Sequence, residues 1–220
     1  MTASPPAYDT ALFWFRRDLR DEDNAGLHYA LTSARRVHCV FVFDREILDS
    51  LPDRRDRRVT FIWDSVKALR EALRAKGGDL LVLHGRAREA IPALAGRLGA
   101  QAVFTNEDYE PAARSRDEAV EGALASRGTR FHRAKDTVVF EKDEILTQAG
   151  GTFAVFTPYK NAWLAKVDDF YLSGYPVAKH ARALAPAQPA TEMPSLASLG
   201  FERSGLLVTP GMAGARAAFD

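Results

Sequence analysis

Short apolar runs alternate with longer amphipathic stretches along the first two thirds of the chain. The apolar runs are 11–15, 37–43, 80–83, 102–105 and 129–132. Apolar residues recur with helical spacing in 25–32, in 59–75, around Ala90, Ile91, Leu94 and Leu98, and in 111–125. This alternation predicts strand, helix, strand units. We therefore expect an α/β fold, a doubly wound, Rossmann-like, five-stranded parallel sheet, followed by a long interdomain linker.

Capping and turn residues predict where these helices begin and end. Asn24 precedes the first helix, and its side-chain oxygen can accept a hydrogen bond from a free amide of the first turn. Gly77 and Gly78 end the helix 59–75, which carries Phe61, Ile62, Val66, Leu69 and Leu73 on one face. Pro111 suits the first turn of a helix, where its missing amide hydrogen does no harm.

The pattern changes in the last third of the chain. Periodicity fades from Gly150 onward, and prolines stand at 176, 186, 189, 194 and 210. A composition of this kind is typical of a linker. We therefore predict an α/β domain over 9–140 and an interdomain connection and linker over 141–220.

Charge and cysteine content narrow the class of protein. Thirty basic and twenty-nine acidic side chains leave a formal charge of +1, so no global field favours nucleic acid or a membrane as a partner. Cys39 is the single cysteine and lies in an apolar run, which fits a buried thiol. The start of the chain lacks a signal-peptide pattern, and no apolar stretch is long enough to span a bilayer. We expect a cytoplasmic protein with no membrane partner.

Several common kinds of site have no matching residues. The sequence contains no dinucleotide-binding glycine fingerprint, no phosphate-binding loop with lysine and no nucleophile elbow. Its five histidines lack the spacing of metal ligands, and one cysteine cannot build a thiolate site. We predict no metal, and the chain offers no obvious hydrolase, dehydrogenase or NTPase residues.

A cluster of charged residues follows the first predicted strand. The run Phe-Trp-Phe-Arg-Arg-Asp-Leu-Arg occupies 13–20, and polar residues also follow the fourth strand at 106–108. In a doubly wound sheet, a ligand crevice forms at the carboxyl ends of the strands where the winding reverses, usually between the first and fourth. Two interpretations are open. The arginines either form a structural corner of ion pairs with carboxylates or take a direct part in a site.

Three segments in order resemble the photolyase and cryptochrome family. Trp-Phe-Arg-Arg-Asp-Leu-Arg, with Asp23 and Asn24 after it, is similar to the family's opening signature. The segment 155–163, Val-Phe-Thr-Pro-Tyr-Lys-Asn-Ala-Trp, resembles the start of the connection between its two domains. Residues 199–201 with 210–211 resemble the end of the family's linker. The matches span almost the whole chain.

The resemblance implies a function for the full-length protein. It implies a deoxyribodipyrimidine photo-lyase that repairs UV-induced pyrimidine dimers in DNA by light-driven electron transfer from reduced FAD. FAD and the lesion are then held by a C-terminal helical domain expected to be absent here, so no catalytic residue is assigned. The isolated domain is expected to self-associate through its uncovered interdomain face. Alternatives are a cryptochrome photoreceptor, or a stand-alone nucleotide-binding module that takes AMP or ATP near Gly85 and the first strand.

The resemblance also implies an antenna chromophore bound by the α/β domain. Folate-binding members carry an Asn-Glu pair where this chain has Ala112 and Ala113. That departure favours a deazaflavin over methenyltetrahydrofolate. The residues that match deazaflavin-binding relatives are Phe41, Phe43, Asp44, Arg58, Asp108 and Glu110.

These antenna residues also have an ordinary structural interpretation. Phe41 and Phe43 are then strand residues, and Asp108 and Glu110 favour a helix N-terminus through its dipole. The arginine-rich stretch 54–58 is interpreted as a solvated loop because aspartates interrupt it. The three tryptophans, at 14, 63 and 163, are interpreted as core residues.

Overall fold

A computed structural model describes residues 5–187 and 192–220 of the chain. The strands are β1 (Tyr8–Phe15), β2 (Ala34–Asp44), β3 (Leu80–Gly85), β4 (Ala102–Asn106) and β5 (Arg130–Ala134). The α-helices are α1 (Ala25–Ser33), α2 (Arg45–Leu48), α3 (Arg57–Ala75), α4 (Ala87–Leu98), α5 (Pro111–Ala125), α6 (Phe156–Lys166), α7 (Asp169–Leu172) and α8 (Gly211–Phe219). Two 3₁₀ helices occupy Lys142–Glu144 and Val177–Ala183. Pro189, one of the prolines of the predicted linker, lies outside the described residues.

The sheet has the predicted doubly wound topology. Its strand order is β3-β2-β1-β4-β5, and each neighbouring pair is parallel. The winding direction reverses between β1 and β4, the point at which sheets of this kind form a crevice. The α/β prediction is therefore confirmed.

Helices cover both faces of the sheet and create two buried clusters. The cluster between the sheet and α1 and α3 includes Phe13, Phe15, Leu27, Phe41, Phe43 and Leu73. The cluster between the sheet and α4 and α5 includes Leu12, Trp14, Val40, Val42, Ile91 and Leu124. Alternate residues of each strand belong to opposite clusters because successive side chains of a strand point to opposite faces.

The N-terminus of α1 lies directly against the end of β4. Asn24 caps the helix as predicted, since its side chain accepts a hydrogen bond of 3.0 Å from the Leu27 amide. The Gly26 amide donates to Asn106 Oδ1 at 2.9 Å. A Cβ atom at Gly26 would lie 2.5 Å from that oxygen and 2.8 Å from the Phe13 ring. The close approach of helix and strand therefore requires glycine.

Replacing Gly26 by alanine is expected to destabilise the protein. Because a Cβ has no room, α1 must move away from Asn106 and Phe13, and we expect Gly26→Ala to lower the free energy of unfolding by about 1–3 kcal/mol. Urea denaturation measures the change. Gly122→Ala in α5 is the matched control, because a Cβ there meets nothing within 4 Å. A Gly26→Ala protein as stable as the control variant would contradict this account of the packing.

Part of the predicted linker packs against the sheet. Val177 and Leu184 are buried in the cluster beneath α1, and the Ala185 amide donates to the Val37 carbonyl at 2.8 Å. Further on, Phe201 is 3% exposed, and the Trp63 indole donates to the Pro194 carbonyl at 2.7 Å. The described parts of 174–206 are thus bound to the α/β layer, which the proline content alone did not indicate.

The segment between β5 and this packed stretch is exposed. Among the described α-helices, α6 and α7 have no buried residue. Their solvent-facing apolar side chains include Phe156, Leu164, Phe170 and Leu172, with exposed fractions from 56% to 79%. An uncovered apolar surface of this kind is typical of a face that another protein surface covers.

Candidate functional site

Two adjoining cavities open at the carboxyl ends of β1 and β4. Residues 16–18 and 106–108 meet there, as the position of the winding reversal predicts. The larger cavity has a volume of about 560 Å³ and extends from the end of β1 over β2 to the starts of α4 and α5. The smaller one, about 440 Å³, lies between the ends of β1 and β4. Volumes of this size suit small organic ligands.

The larger cavity combines an apolar wall with a charged rim. Its aromatic and branched aliphatic lining consists of Trp14, Phe15, Leu19, Phe41, Val42, Ile47 and Ile62. Ala87, Ala112 and Ala113 line the side formed by α4 and α5, where small side chains leave space. The charged rim includes Arg17, Asp44, Arg88, Asp108, Glu110 and Arg116. Such a lining offers stacking surface together with a few polar contacts.

A buried ion pair fixes the floor between the two cavities. Arg16 Nη1 donates to both carboxylate oxygens of Asp117 at 2.6 Å, and the two side chains are 8% and 1% exposed. Burial lowers the pKa of Arg16 from its ordinary value, and the Asp117 carboxylate counteracts this. The guanidinium groups of Arg16 and Arg116 each lie 5.0 Å from the centre of the Trp14 ring. Two cations that share the Asp117 carboxylate therefore lie against the Trp14 ring.

A second, more exposed group of charges stands at the boundary of the two cavities. Arg17 Nε donates to Asp108 Oδ2 at 2.9 Å, and Arg17 Nη2 lies 2.6 Å from Glu110 Oε2. Burial of Asp108 acts to raise its pKa, but the Glu110 amide and the Arg17 guanidinium outweigh burial and lower the pKa. The Asp108 carboxylate is therefore kept as a charged hydrogen-bond acceptor.

Asp136 braces the loop that carries this arginine cluster. Its side chain is 1% exposed and accepts hydrogen bonds of 3.0 Å from Arg20 and 2.7 Å from the Ala25 amide. Asn106 donates to the same carboxylate at 3.0 Å. The arginines at 16, 17 and 20 are thus each paired with carboxylates, in agreement with the predicted structural corner.

Comparison with known proteins identifies the family. The DNA photolyase family model matches residues 11–185, which is most of the chain. The chain belongs to the DNA photolyase family. The match covers the two cavities and the arginine cluster, and the predicted family membership is confirmed.

Individual photolyases agree with this. The deoxyribodipyrimidine photo-lyase of Synechococcus sp. is 34% identical, over 91% of this chain and 42% of its own length. The crystal structure of an archaeal photolyase from Sulfolobus tokodaii is 33% identical and has a TM-score of 0.61, over 72% of this chain and 35% of that one. A bacterial class III photolyase from Agrobacterium tumefaciens shares the fold, with 24% identity and a TM-score of 0.77 over 98% of this chain and 44% of its own. This photolyase-family chain spans less than half of each.

The structure brings four of the six predicted antenna residues to the larger cavity. Phe41, Asp44, Asp108 and Glu110 line it. Asp44 also caps α2, because its Oδ1 accepts a 3.0 Å hydrogen bond from the Glu46 amide. The three carboxylates among these residues, those of Asp44, Asp108 and Glu110, are polar contacts that the cavity offers on the β2 and β4 sides.

The other two predicted residues lie elsewhere. Phe43 is 3% exposed and packs edge-on against Phe41 in the core, with ring centres 5.0 Å apart. Arg58 is 75% exposed and pairs with Asp56 at 2.6 Å, away from the lining of both cavities. The arginines at 54, 55, 57 and 58 are all exposed, and Arg54 lies 5.4 Å from the Phe201 ring centre. This agrees with the interpretation of 54–58 as a solvated loop.

Several cavity residues were not among those predicted. Trp14 and Arg17 belong to the arginine motif, so their position at the carboxyl end of β1 was a usable signal. Ile62 was placed on the apolar face of the helix 59–75, but it is 37% exposed and lines the cavity. Arg88 comes from the first turn of α4 and Arg116 from the second turn of α5, and no motif marked them.

Two other structural features are absent from residues 5–187 and 192–220. No group of three or more histidine, cysteine, aspartate or glutamate side chains there has a geometry that could hold a metal ion. No helix in the same ranges has the length and apolar character needed to cross a bilayer.

Proposed function

We propose that this chain is the antenna-binding α/β part of a deoxyribodipyrimidine photo-lyase, and that the larger cavity binds a flat tricyclic chromophore. The observation that carries the proposal is the aromatic-walled cavity of about 560 Å³ at the reversal point of a photolyase-family sheet. The Sulfolobus tokodaii photolyase contains two FAD molecules in its crystal structure, with the implication of a novel light-harvesting cofactor in that protein. We therefore expect this chain to bind a light-harvesting ligand in addition to the catalytic FAD of the full-length protein.

The residues present fit such a ligand. Trp14 and Phe41 supply flat surfaces, and Ala113, which is 7% exposed, leaves room above them. The methyl groups of Ala112 and Ala113 stand where folate-binding members carry an amide and a carboxylate. Because methyl groups cannot hydrogen-bond to a pterin, a deazaflavin is favoured over methenyltetrahydrofolate.

The chain's own residues orient the ring and exclude water. Arg16 and Arg116 lie against the Trp14 ring and are both tied to Asp117, so the stacking surface is held in place before a ligand arrives. Asp108 stays ionised and can accept hydrogen bonds from ribityl hydroxyls or ring donors. The chromophore itself would absorb light and pass the excitation through space to FAD.

The whole protein's reaction is part of the same proposal. A full-length protein of this family would bind UV-damaged DNA and split pyrimidine dimers with reduced FAD, in the cytoplasm. Two arginines of 54–58 have carboxylate partners, Arg55 with Glu202 at 3.9 Å and Arg58 with Asp56, which supports the interpretation of this stretch as a solvated loop and not as a DNA surface. A cryptochrome photoreceptor remains the alternative, and light-dependent dimer repair by the full-length protein distinguishes the two.

Chromophore titration of the purified chain tests the antenna proposal. We expect 8-hydroxy-5-deazariboflavin to bind, with a change in its fluorescence, and Asp108→Ala and Glu110→Ala to weaken binding at least tenfold because hydrogen-bond acceptors are lost. The control is Glu118→Ala, which changes an exposed acidic residue of α5, the helix that Glu110 precedes, outside the cavity. This variant is expected to bind the chromophore like the wild type. Tighter binding of methenyltetrahydrofolate would overturn the preference for a deazaflavin. Binding of neither would overturn the antenna function.

The exposed apolar face of α6 and α7 leads to a separate expectation. Phe156 and Phe170 are 73% and 79% exposed, and we propose that the isolated chain self-associates through this face at high concentration. Sedimentation velocity at increasing concentration measures this. The double variant Phe156→Ser with Phe170→Ser is expected to remain monomeric, whereas Ile47→Ser, which alters an exposed apolar residue elsewhere, should associate like the wild type. A strictly monomeric wild type would rule the idea out.

A further inference from the structure

We propose that Arg17 is a movable wall that limits the length of the ligand accepted by the larger cavity. The inference rests on the proposed function, because it concerns the same crevice and a ligand of the same class. With Arg17 in place, a ring with a short neutral chain fits the larger cavity alone. A ring with a long tail requires the smaller cavity as well, and Arg17 must then leave its partners.

The two cavities share a floor and are divided by side chains. Trp14, Phe15 and Arg16 line both of them. Arg17, Asp108 and Glu110 also line both, and these three are joined by the ion pairs described above. The joined side chains therefore stand at the boundary between the two cavities.

The parts of this wall differ in how firmly they are held. Asp108 is 8% exposed and is fixed by Arg17 and by a 3.3 Å hydrogen bond from the Glu110 amide. Arg17 and Glu110 are 58% and 65% exposed, so water can replace their pairing at little cost. Arg16 on the floor is 8% exposed and paired with a buried carboxylate, which prevents a similar movement. Of the two arginines that line both cavities, Arg17 is thus the one that can swing out.

Removal of Arg17 alone would change the charge as well as the shape of the boundary. Arg17, Asp108 and Glu110 together carry a net charge of −1. The double variant Arg17→Ala with Glu110→Gln leaves Asp108 as the single charge, so the net charge stays −1 while the guanidinium is gone. Glutamine keeps the length and one acceptor oxygen of Glu110. The matched control is Arg133→Ala with Glu121→Gln, an ion pair of 2.9 Å outside both cavities.

Equilibrium titrations with riboflavin and with FAD test the wall. These probes share one tricyclic ring and differ in tail length. We expect the wild type and the control variant to prefer riboflavin, and the double variant to raise the FAD-to-riboflavin affinity ratio at least tenfold. An unchanged ratio, with riboflavin still bound, would overturn the role of Arg17 and leave the antenna proposal standing.

A ligand-free measurement separates this failure from failure of the proposed function. Trp14 is 3% exposed and lines both cavities, so its emission reports on access to the crevice. In a background of Trp63→Phe and Trp163→Phe, the double variant is expected to at least double the acrylamide quenching constant of Trp14. If no flavin binds the wild type, the antenna proposal fails, but the quenching experiment still tests Arg17. An unchanged quenching constant of Trp14 in the double variant would overturn the role of Arg17 as a wall.

Discussion

Asp117→Ala is expected to lower the free energy of unfolding by about 3–5 kcal/mol, because it leaves the buried guanidinium of Arg16 without its carboxylate. Both carboxylate oxygens of Asp117 accept hydrogen bonds from Arg16, and Arg116 also pairs with this group. Burial already acts against the charged form of Arg16. Removal of the carboxylate therefore exposes the full cost of the buried charge. Urea denaturation followed by circular dichroism measures the loss.

Two further variants make this result specific. Glu121 lies on α5, the helix that also carries Asp117, and pairs with Arg133 of β5, whose side chain is 29% exposed against 44% for Glu121. Because this pair is exposed, Glu121→Ala should lower the free energy of unfolding by less than about 1 kcal/mol. Arg16→Met combined with Asp117→Leu removes both charges and should cost less than Asp117→Ala alone. A loss for Asp117→Ala no larger than that for Glu121→Ala would show that the pair does not support the fold.

Ala112→Trp is expected to abolish chromophore binding while leaving the fold intact. Ala112 lies in the first turn of α5, is exposed and lines the larger cavity. An indole at this position would fill the space in which the chromophore ring is proposed to bind. We expect at least a hundredfold loss of deazaflavin affinity and a change in unfolding free energy within about 0.5 kcal/mol. Fluorescence titration and urea denaturation of the same preparation measure the two quantities.

The control lies on the same helix. Ala125→Trp places an indole at the exposed C-terminal end of α5, away from the cavity, and should bind the chromophore like the wild type. If Ala112→Trp bound as tightly as Ala125→Trp, the ligand would have to lie outside the larger cavity.

The α/β fold could be predicted because its signals are local. Apolar runs preceded helical periodicities in the order that parallel sheets require, and Asn24 marked the start of α1. The last third of the chain was less accessible to such reasoning. Leu184 and Phe201 are isolated apolar residues in proline-rich surroundings, and their burial depends on contacts with β2 and α3 that no local pattern records.

In the candidate site, the sequence predicted the charged residues better than the apolar residues that line the cavity. Asp108 and Glu110 follow a strand directly, and the topology of the sheet brings them to the crevice. Phe43 does not line the larger cavity, because its side chain is buried in the core in the same cluster as Leu48 of α2. Arg58 pairs with Asp56, the N-cap residue of α3 two positions earlier. This local ion pair competes with a contact between Arg58 and the cavity.

The most direct test of the antenna assignment is to locate the chromophore on the chain. Methyl-labelled protein titrated with 8-hydroxy-5-deazariboflavin and followed by NMR reports on Ile47, Ile62, Ala112 and Ala113, which line the larger cavity. We predict that ring currents shift these methyl resonances at saturation while Ala197 and Ala213, outside the cavity lining, stay unchanged. Unchanged cavity methyls, with or without shifts elsewhere, would contradict the assignment of this cavity as the antenna site.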